Sequence, residues 1–406
     1  MSDVTSGGEA VVAAQLPVFE VERIAYPITF TEQAAFKDTY GGPGGLVMLE
    51  SYLLKPVGRP SDTVLIFMHP IGGGGYLPFV RALARAGHHV IYCNSRYRGT
   101  DSGLIMEKVV LDLDHAIKDA KDRLGYAKVV LAGWSRGGSL SLFHQAEAED
   151  PSITDLPSGE PFDLKGAGLT PADGMLLVAA HSSRHRVLTD ALDPSITDET
   201  DPTKRLVELD LFDPANPNQV PFSAEYITRF RAAQEARNRR ITAWVLDTLA
   251  SIRAAGRPHD ERGFVVHGTM ADPRNFDGAL DPNERALGMS FIGDPQIANM
   301  GPISLARFCT LRSWLSQWST EYARADGITC AARISVPTMV VYNLADDVCY
   351  PSHGIAMFDA VGHDDKELVA VPGATHYYAG PDQRGPLNVA LGKVTDWLER
   401  HDFGGE

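Results

Sequence analysis

The residue of this chain best placed to do chemistry is a serine held between glycines. In "VVLAGWSRGGSLSLF" (129–143) an apolar, strand-like run ends at Gly133, and helix-compatible sequence begins after Gly138. Gly133-Trp134-Ser135-Arg136-Gly137 fits G-x-S-x-G, and strand, turn and helix in that order are the setting of a nucleophile elbow. The glycines have a mechanical reason there. The helix leaves so close to the strand that side chains two residues either side of the serine would collide. The competing reading is a strand-to-helix turn in which Ser135 caps the helix.

A nucleophilic serine needs a base, and the base needs an acid to orient it. Position must choose among thirteen histidines. His376 lies in "VPGATHYY", just past the last predicted strand, and loops at strand C-terminal ends of a parallel sheet gather on one edge, as Ser135 does. His69 also ends a strand, but its neighbours suggest a different job. "VVYNLADDVCYP" (340–351) offers the acid: counting from the strand end favours Asp346, and counting back from Pro351 favours Asp347. A trap for the tetrahedral oxyanion is offered by "HPIGGGG" (69–75), a Gly-rich loop between a buried strand and a helix. Arg136 would donate one backbone N–H and Ile71 or Gly72 the other. No G-x-x-x-x-G-K-[ST] or G-x-G-x-x-G is present, which argues against a phosphate or dinucleotide site.

These residues need a scaffold, and the chain supplies the pattern of one. "FEVERIAYPITF" and "VMLESYLLKP" alternate like antiparallel strands. The continuous apolar runs 63–69, 89–95, 128–134 and 174–181, with helical stretches 77–87, 108–123 and 136–149 between them, predict an α/β fold with a mostly parallel central sheet covered on both faces. From 182 to 300 the alternation stops. That segment is rich in Asp, Pro and Arg and holds one long helical stretch, roughly 222–254, whose apolar stripe includes Phe222, Tyr226, Phe230, Ile241, Val245, Leu249 and Ile252. The sheet pattern resumes with strands at 337–344 and 366–373, a helical stretch 353–360 between them, and a closing helix near 387–401. The expected organisation is a tail over 1–17, a core over 18–181 and 301–406, and an inserted, mainly helical unit over 182–300.

Composition narrows the function classes. A formal net charge of −15 argues against a general binder of nucleic acid or anionic membrane. No basic n-region with a long apolar core begins the chain, so a cytoplasmic protein without a signal peptide is expected. Cys93, Cys309, Cys330 and Cys349 are scattered without C-x-x-C spacing, as expected of reduced, buried thiols, and no metal site is expected.

Taken together, "MHPIGGGG", "GWSRGG", "ADDVCYP" and "GATHYY" resemble the α/β-hydrolase superfamily in its esterase/lipase-like serine-hydrolase branch, over about 45–181 and 301–400. The resemblance implies Ser135 as nucleophile, His376 as base, Asp346 as acid, and the N–H groups of Ile71 and Arg136 as oxyanion hole. Two departures stand out: Pro70 replaces a glycine of the usual H-G-x-G, and Asn343 replaces the frequent glycine after the acid's strand. "SRYRGTDSG" (95–103) resembles a stretch that is mostly structural in these enzymes, and Arg98 and Asp101 are read that way. The insertion 182–300 falls where such enzymes carry a cap over the substrate. Its aromatics, Trp244 among them, are expected to pack, and its arginines to be solvated. The implied function is hydrolysis of a carboxylic ester or thioester of a small to medium organic acid, with no cofactor. C–C bond hydrolysis, acyl transfer and non-catalytic ligand binding remain open on the same fold. The implied partner is a small-molecule substrate, and homo-oligomers are common among such enzymes.

Overall fold

The computed structural model describes residues 17–32, 37, 43–302 and 304–405. The tail expected over 1–17 lies outside the described residues except for Pro17. Ten strands form: β1 (Val21–Thr31), β2 (Leu46–Pro56), β3 (Thr63–Phe67), β4 (Val90–Cys93), β5 (Lys128–Ser135), β6 (Gly174–Ala180), β7 (Gly263–Val265), β8 (Phe308–Thr310), β9 (Thr338–Asn343) and β10 (Lys366–Val371). Eight of them build one sheet in the order β1-β2-β4-β3-β5-β6-β9-β10. β1 pairs antiparallel with β2, and β2 antiparallel with β4. From β4 to β10 every pairing is parallel.

The apolar runs are continuous because both faces of the sheet are covered. Val64, Ile66, Val129, Leu131, Met175, Leu177 and Val340 face one cluster, with α2 (Met106–Lys118), α3 (Gly137–Glu149) and α9 (Pro351–Ala360). Leu65, Phe67, Val130, Ala132, Leu176, Val178, Met339 and Val341 face the other, with α1 (Pro78–Arg85) and α10 (Arg384–Arg400). Odd and even residues of each strand therefore serve opposite layers, as strand geometry requires. The helical stretch 108–123 is an α-helix only to Lys118; a wider π-type turn carries it through Asp119–Arg123.

Between β6 and β9 lie α4 (Arg184–Ala191), α5 (Ala224–Ala254), α6 (Pro295–Met300), α7 (Leu311–Gln317) and α8 (Gly327–Ala331). A third cluster joins Leu188 of α4, the Ile241, Val245 and Leu249 stripe of α5, and Trp314 and Trp318, whose rings stack at 5.0 Å. Phe222, just before α5, and Tyr226 and Phe230 on it form a run of tilted ring contacts, and Trp244 meets Phe264 edge-on. The expectation of solvated arginines holds for Arg186, Arg229, Arg239, Arg240, Arg253, Arg257 and Arg262, which are exposed, but not for Arg184, Arg237, Arg274 and Arg285, which are buried. Arg237 is buried and donates to Glu199 and to the carbonyls of Asp193 and His267, and Arg274 and Arg285 are buried hubs of the same kind. With little regular structure between its helices, the segment uses the five donors of arginine to satisfy loop carbonyls.

Candidate active site

The site gathers where β3, β5, β6, β9 and β10 end. Ser135 is the last residue of β5, buried, with φ of +54°. Such a value is strained for a residue with a side chain, and it turns the serine out of the strand line. The pairing with β6 slips between Trp134 and Ser135 to accommodate it. The glycines are obligatory by contact. A Cβ on Gly133 would lie 2.6 Å from the Cα of Gly138, one on Gly137 would lie 2.5 Å from the Met68 carbonyl oxygen, and one on Gly138 would lie 2.5 Å from the Ala180 Cβ. Arg136, not Ser135, is the N-cap residue of α3, and no side chain caps that helix. The capping reading of Ser135 is thereby excluded.

His376 and Asp346 meet directly. His376 Nδ1 lies 2.9 Å from Asp346 Oδ2, and both residues are fully buried. The second carboxylate oxygen of Asp346 accepts the N–H groups of Val348 and Cys349 at 2.8 Å each. Asp347, left open by the sequence as the alternative acid, makes no such bond; burial and the neighbouring Asp346 charge push its carboxyl upward. Asn343 proves to be a strut between the two loops. Its side chain donates to the Thr375 carbonyl at 2.9 Å and accepts from the Tyr378 hydroxyl at 2.7 Å, so it braces both sides of His376. Trp134 adds a third brace, donating to the His376 carbonyl at 3.2 Å with its ring 4.8 Å from the imidazole.

Among the described residues no hydrogen bond joins Ser135 to His376. The serine hydroxyl lies against the Cys349 thiol, whose pKa burial holds well above the ordinary range. Sequence reading missed Cys349, although its place three residues after Asp346 was a signal. The donor atoms of Asp346, Cys349 and His376 lie within 4.8 Å of one another, close enough for a metal ion. Both oxygens of Asp346 already accept hydrogen bonds, from His376 on one and from Val348 and Cys349 on the other.

The glycine loop is tighter than expected. Gly72, Gly73 and Gly74 donate their N–H groups to the His69 carbonyl, the Asn94 side chain and the Tyr92 hydroxyl at 2.8, 3.0 and 2.5 Å. The Ile71 N–H has only a 3.4 Å contact to His69 Nδ1. Ile71 is therefore less committed than Gly72, Gly73 and Gly74, whose N–H groups are occupied. His69 and His181 are buried, and burial, reinforced by the Arg136 charge, drives both imidazoles far below their ordinary pKa. The 95–103 loop is pinned by ion pairs: Arg98 with Glu50, and Asp101 with Arg184 of α4 at 2.6 Å. The segment 182–300 reaches the loops after β9 and β10 as well. Asn283 donates to the Asp346 carbonyl at 2.7 Å, and Glu284 accepts the Gly373 N–H at 2.6 Å.

Residues 317–388 match the family model of acetyl xylan esterase (AXE1), a segment under a fifth of the chain that holds Asp346 and His376 but not Ser135. Among solved structures, the α/β hydrolase GrgF from Penicillium sp. sh18 is similar over 93% of this chain and 99% of its own, at 13% identity and TM-score 0.50. Est1E from Butyrivibrio proteoclasticus is similar over 88% and 95%, at 13% identity and TM-score 0.44. A thermostable carboxyl esterase from Bacillus coagulans covers 91% and 98%, at 12% identity and TM-score 0.44. No curated protein matches the chain significantly. The fold is that of the α/β hydrolases. The AXE1 match adds a likeness to an esterase family over residues 317–388.

Proposed function

We propose that the protein hydrolyses a carboxylic ester or thioester of a small to medium organic acid through an acyl-enzyme on Ser135. The observation that carries this reading is the convergence of a strained serine at the end of β5 with a buried, 2.9 Å His376–Asp346 pair at the same sheet edge. Asp346, holding two backbone N–H groups on one oxygen, keeps the other for His376 Nδ1. The imidazole then presents Nε2 as acceptor. Rotation of the Ser135 side chain away from Cys349 brings its hydroxyl to that nitrogen, which takes the proton as Oγ attacks the acyl carbon. His376 returns the proton to the leaving alcohol or thiol, and water repeats the cycle to release the acid. The N–H groups of Ile71 and Arg136 receive the oxyanion, and loss of one such donor typically costs about 10² to 10³ in rate.

The segment 182–300 acts as the cap in this reading, its contacts from Asn283 and Glu284 to the acid and base loops supporting that place. Among the described residues no helix is long and apolar enough to cross a membrane. The four free, buried cysteines are in keeping with a reducing, cytoplasmic setting. Ser135→Ala should abolish ester turnover and labelling by a fluorophosphonate probe. Full esterase activity in that variant would overturn the proposal.

A further inference from the structure

Arg136 was singled out for its backbone, but its side chain poses a separate question. The residue is 5% exposed, and its Nε and Nη2 are buried without a hydrogen-bond partner among the described residues. The carboxylate that senses its charge, Asp101, is already bound to Arg184 at 2.6 Å. Arg184 itself adds a second positive charge nearby. The other groups whose charges couple to the guanidinium are Cys349, Tyr377, His69 and His181. Burial keeps the thiol and the phenol protonated and the two imidazoles neutral. None of them is a counter-ion. A buried charge without a partner is a standing cost to folding, and it persists mainly where binding or catalysis uses it.

Its position says what it could use. Cys349, which feels the Arg136 charge, touches the Ser135 hydroxyl and lies within the Asp346–His376 cluster. The unpaired cation thus belongs to the residue next to Ser135 and acts on a group of that cluster, in a protein whose net charge is −15. A guanidinium is a planar fork that matches a carboxylate through two parallel hydrogen bonds. We propose that the Arg136 guanidinium binds a free carboxylate carried by the substrate, a few atoms from the ester bond. The preferred substrates are then carboxylate-bearing esters rather than neutral acyl esters. This inference rests on the reading of Ser135 as nucleophile, and its test separates the two.

Turnover is compared for matched pairs: ethyl hydrogen glutarate against ethyl pentanoate, with the charge on the acid part, and butanoyl glycolate against propyl butanoate, with the charge on the alcohol part. The wild type should favour the charged member of at least one pair by tenfold or more in kcat/KM. Arg136→Met should lower that ratio at least tenfold, chiefly through KM, and Arg136→Lys should fall between. Glutarate binding, measured by calorimetry on Ser135→Ala, should vanish in Ser135→Ala/Arg136→Met. Removal of a buried unpaired charge should also raise the Tm of Arg136→Met, which keeps loss of binding distinct from loss of fold. No preference in either pair, an unchanged ratio in Arg136→Met, or glutarate binding that survives Arg136→Met overturns the proposal. Glutarate binding that needs Arg136, in a protein that cleaves none of the four esters, would retain the anion site and sink the hydrolase reading instead.

Discussion

Two glycine-rich turns face each other across this site, and they use glycine for opposite ends. At the elbow, the space a side chain would need on Gly133 and Gly137 is filled by backbone, and on Gly138 by the Cβ of Ala180 in the adjacent strand. At the loop, Gly74 and Gly75 make room for the hydroxyl ends of Tyr92 and Tyr52. Backbone in a sheet cannot yield, whereas the far end of a ring can shift or be trimmed. The elbow is therefore a fixed point of the fold, and the loop is a packed but adjustable wall. Each turn also rests on a buried histidine: the His181 N–H donates to the Ser135 carbonyl at 2.9 Å, and the His69 carbonyl accepts the Gly72 N–H.

The largest effects should fall on the elbow side. Asp346→Asn should lower kcat by about 10⁴, as loss of the orienting acid does in such triads, while Asp347→Asn stays within about tenfold. Comparable losses in both variants would erase the distinction between these neighbours. Next comes Gly133→Ala, which should destabilise by about 3 kcal/mol or more, because overpacking against backbone exceeds the usual core cost. Its melting temperature and soluble yield are the readouts, and a near-wild-type melt would break the contrast drawn here.

A smaller effect should touch both turns together. The folded-state pKa values of His69 and His181 are lowered by burial, so the native protein holds these rings neutral while the unfolded chain takes up protons below about pH 6.5. Stability from this source is complete above that pH and falls as the pH drops through and below it. A melting temperature that is flat from pH 7 to 5 would contradict the assignment. On the loop side, Gly75→Ala should cost about 1 to 3 kcal/mol, and the cost should shrink when combined with Tyr52→Phe, since the added methyl meets the Tyr52 hydroxyl. The smallest change is Tyr52→Phe alone. That hydroxyl is buried without a partner, so its removal should be neutral or slightly stabilising.

Much of the scaffold was legible because period and length carry it. Strands at 63–69, 128–134, 174–181 and 337–344 read as unbroken apolar runs, and they form at Thr63–Phe67, Lys128–Ser135, Gly174–Ala180 and Thr338–Asn343. The long helix expected over 222–254 forms at Ala224–Ala254, since its stripe at spacings of three and four is a local property. The buried arginines of 182–300, Arg237 among them, were not legible for the opposite reason. Whether Arg237 meets water or the Asp193 and His267 carbonyls depends on chain folding 30 and more residues away. The same holds for Asn343, whose departure from the expected glycine is a strut between two loops.

The sequence by itself determined the order of parts: an elbow serine, then aspartates, then a histidine, each just past a strand, because strand period and the handedness of βαβ units send those ends to one edge. Only the tertiary structure decided which aspartate meets His376, which N–H groups of the glycine loop are still uncommitted, and that the Arg136 guanidinium is buried without a counter-ion. Those outcomes turn on distances of a few tenths of an ångström between residues far apart in the chain, and such distances are set by packing rather than by local pattern.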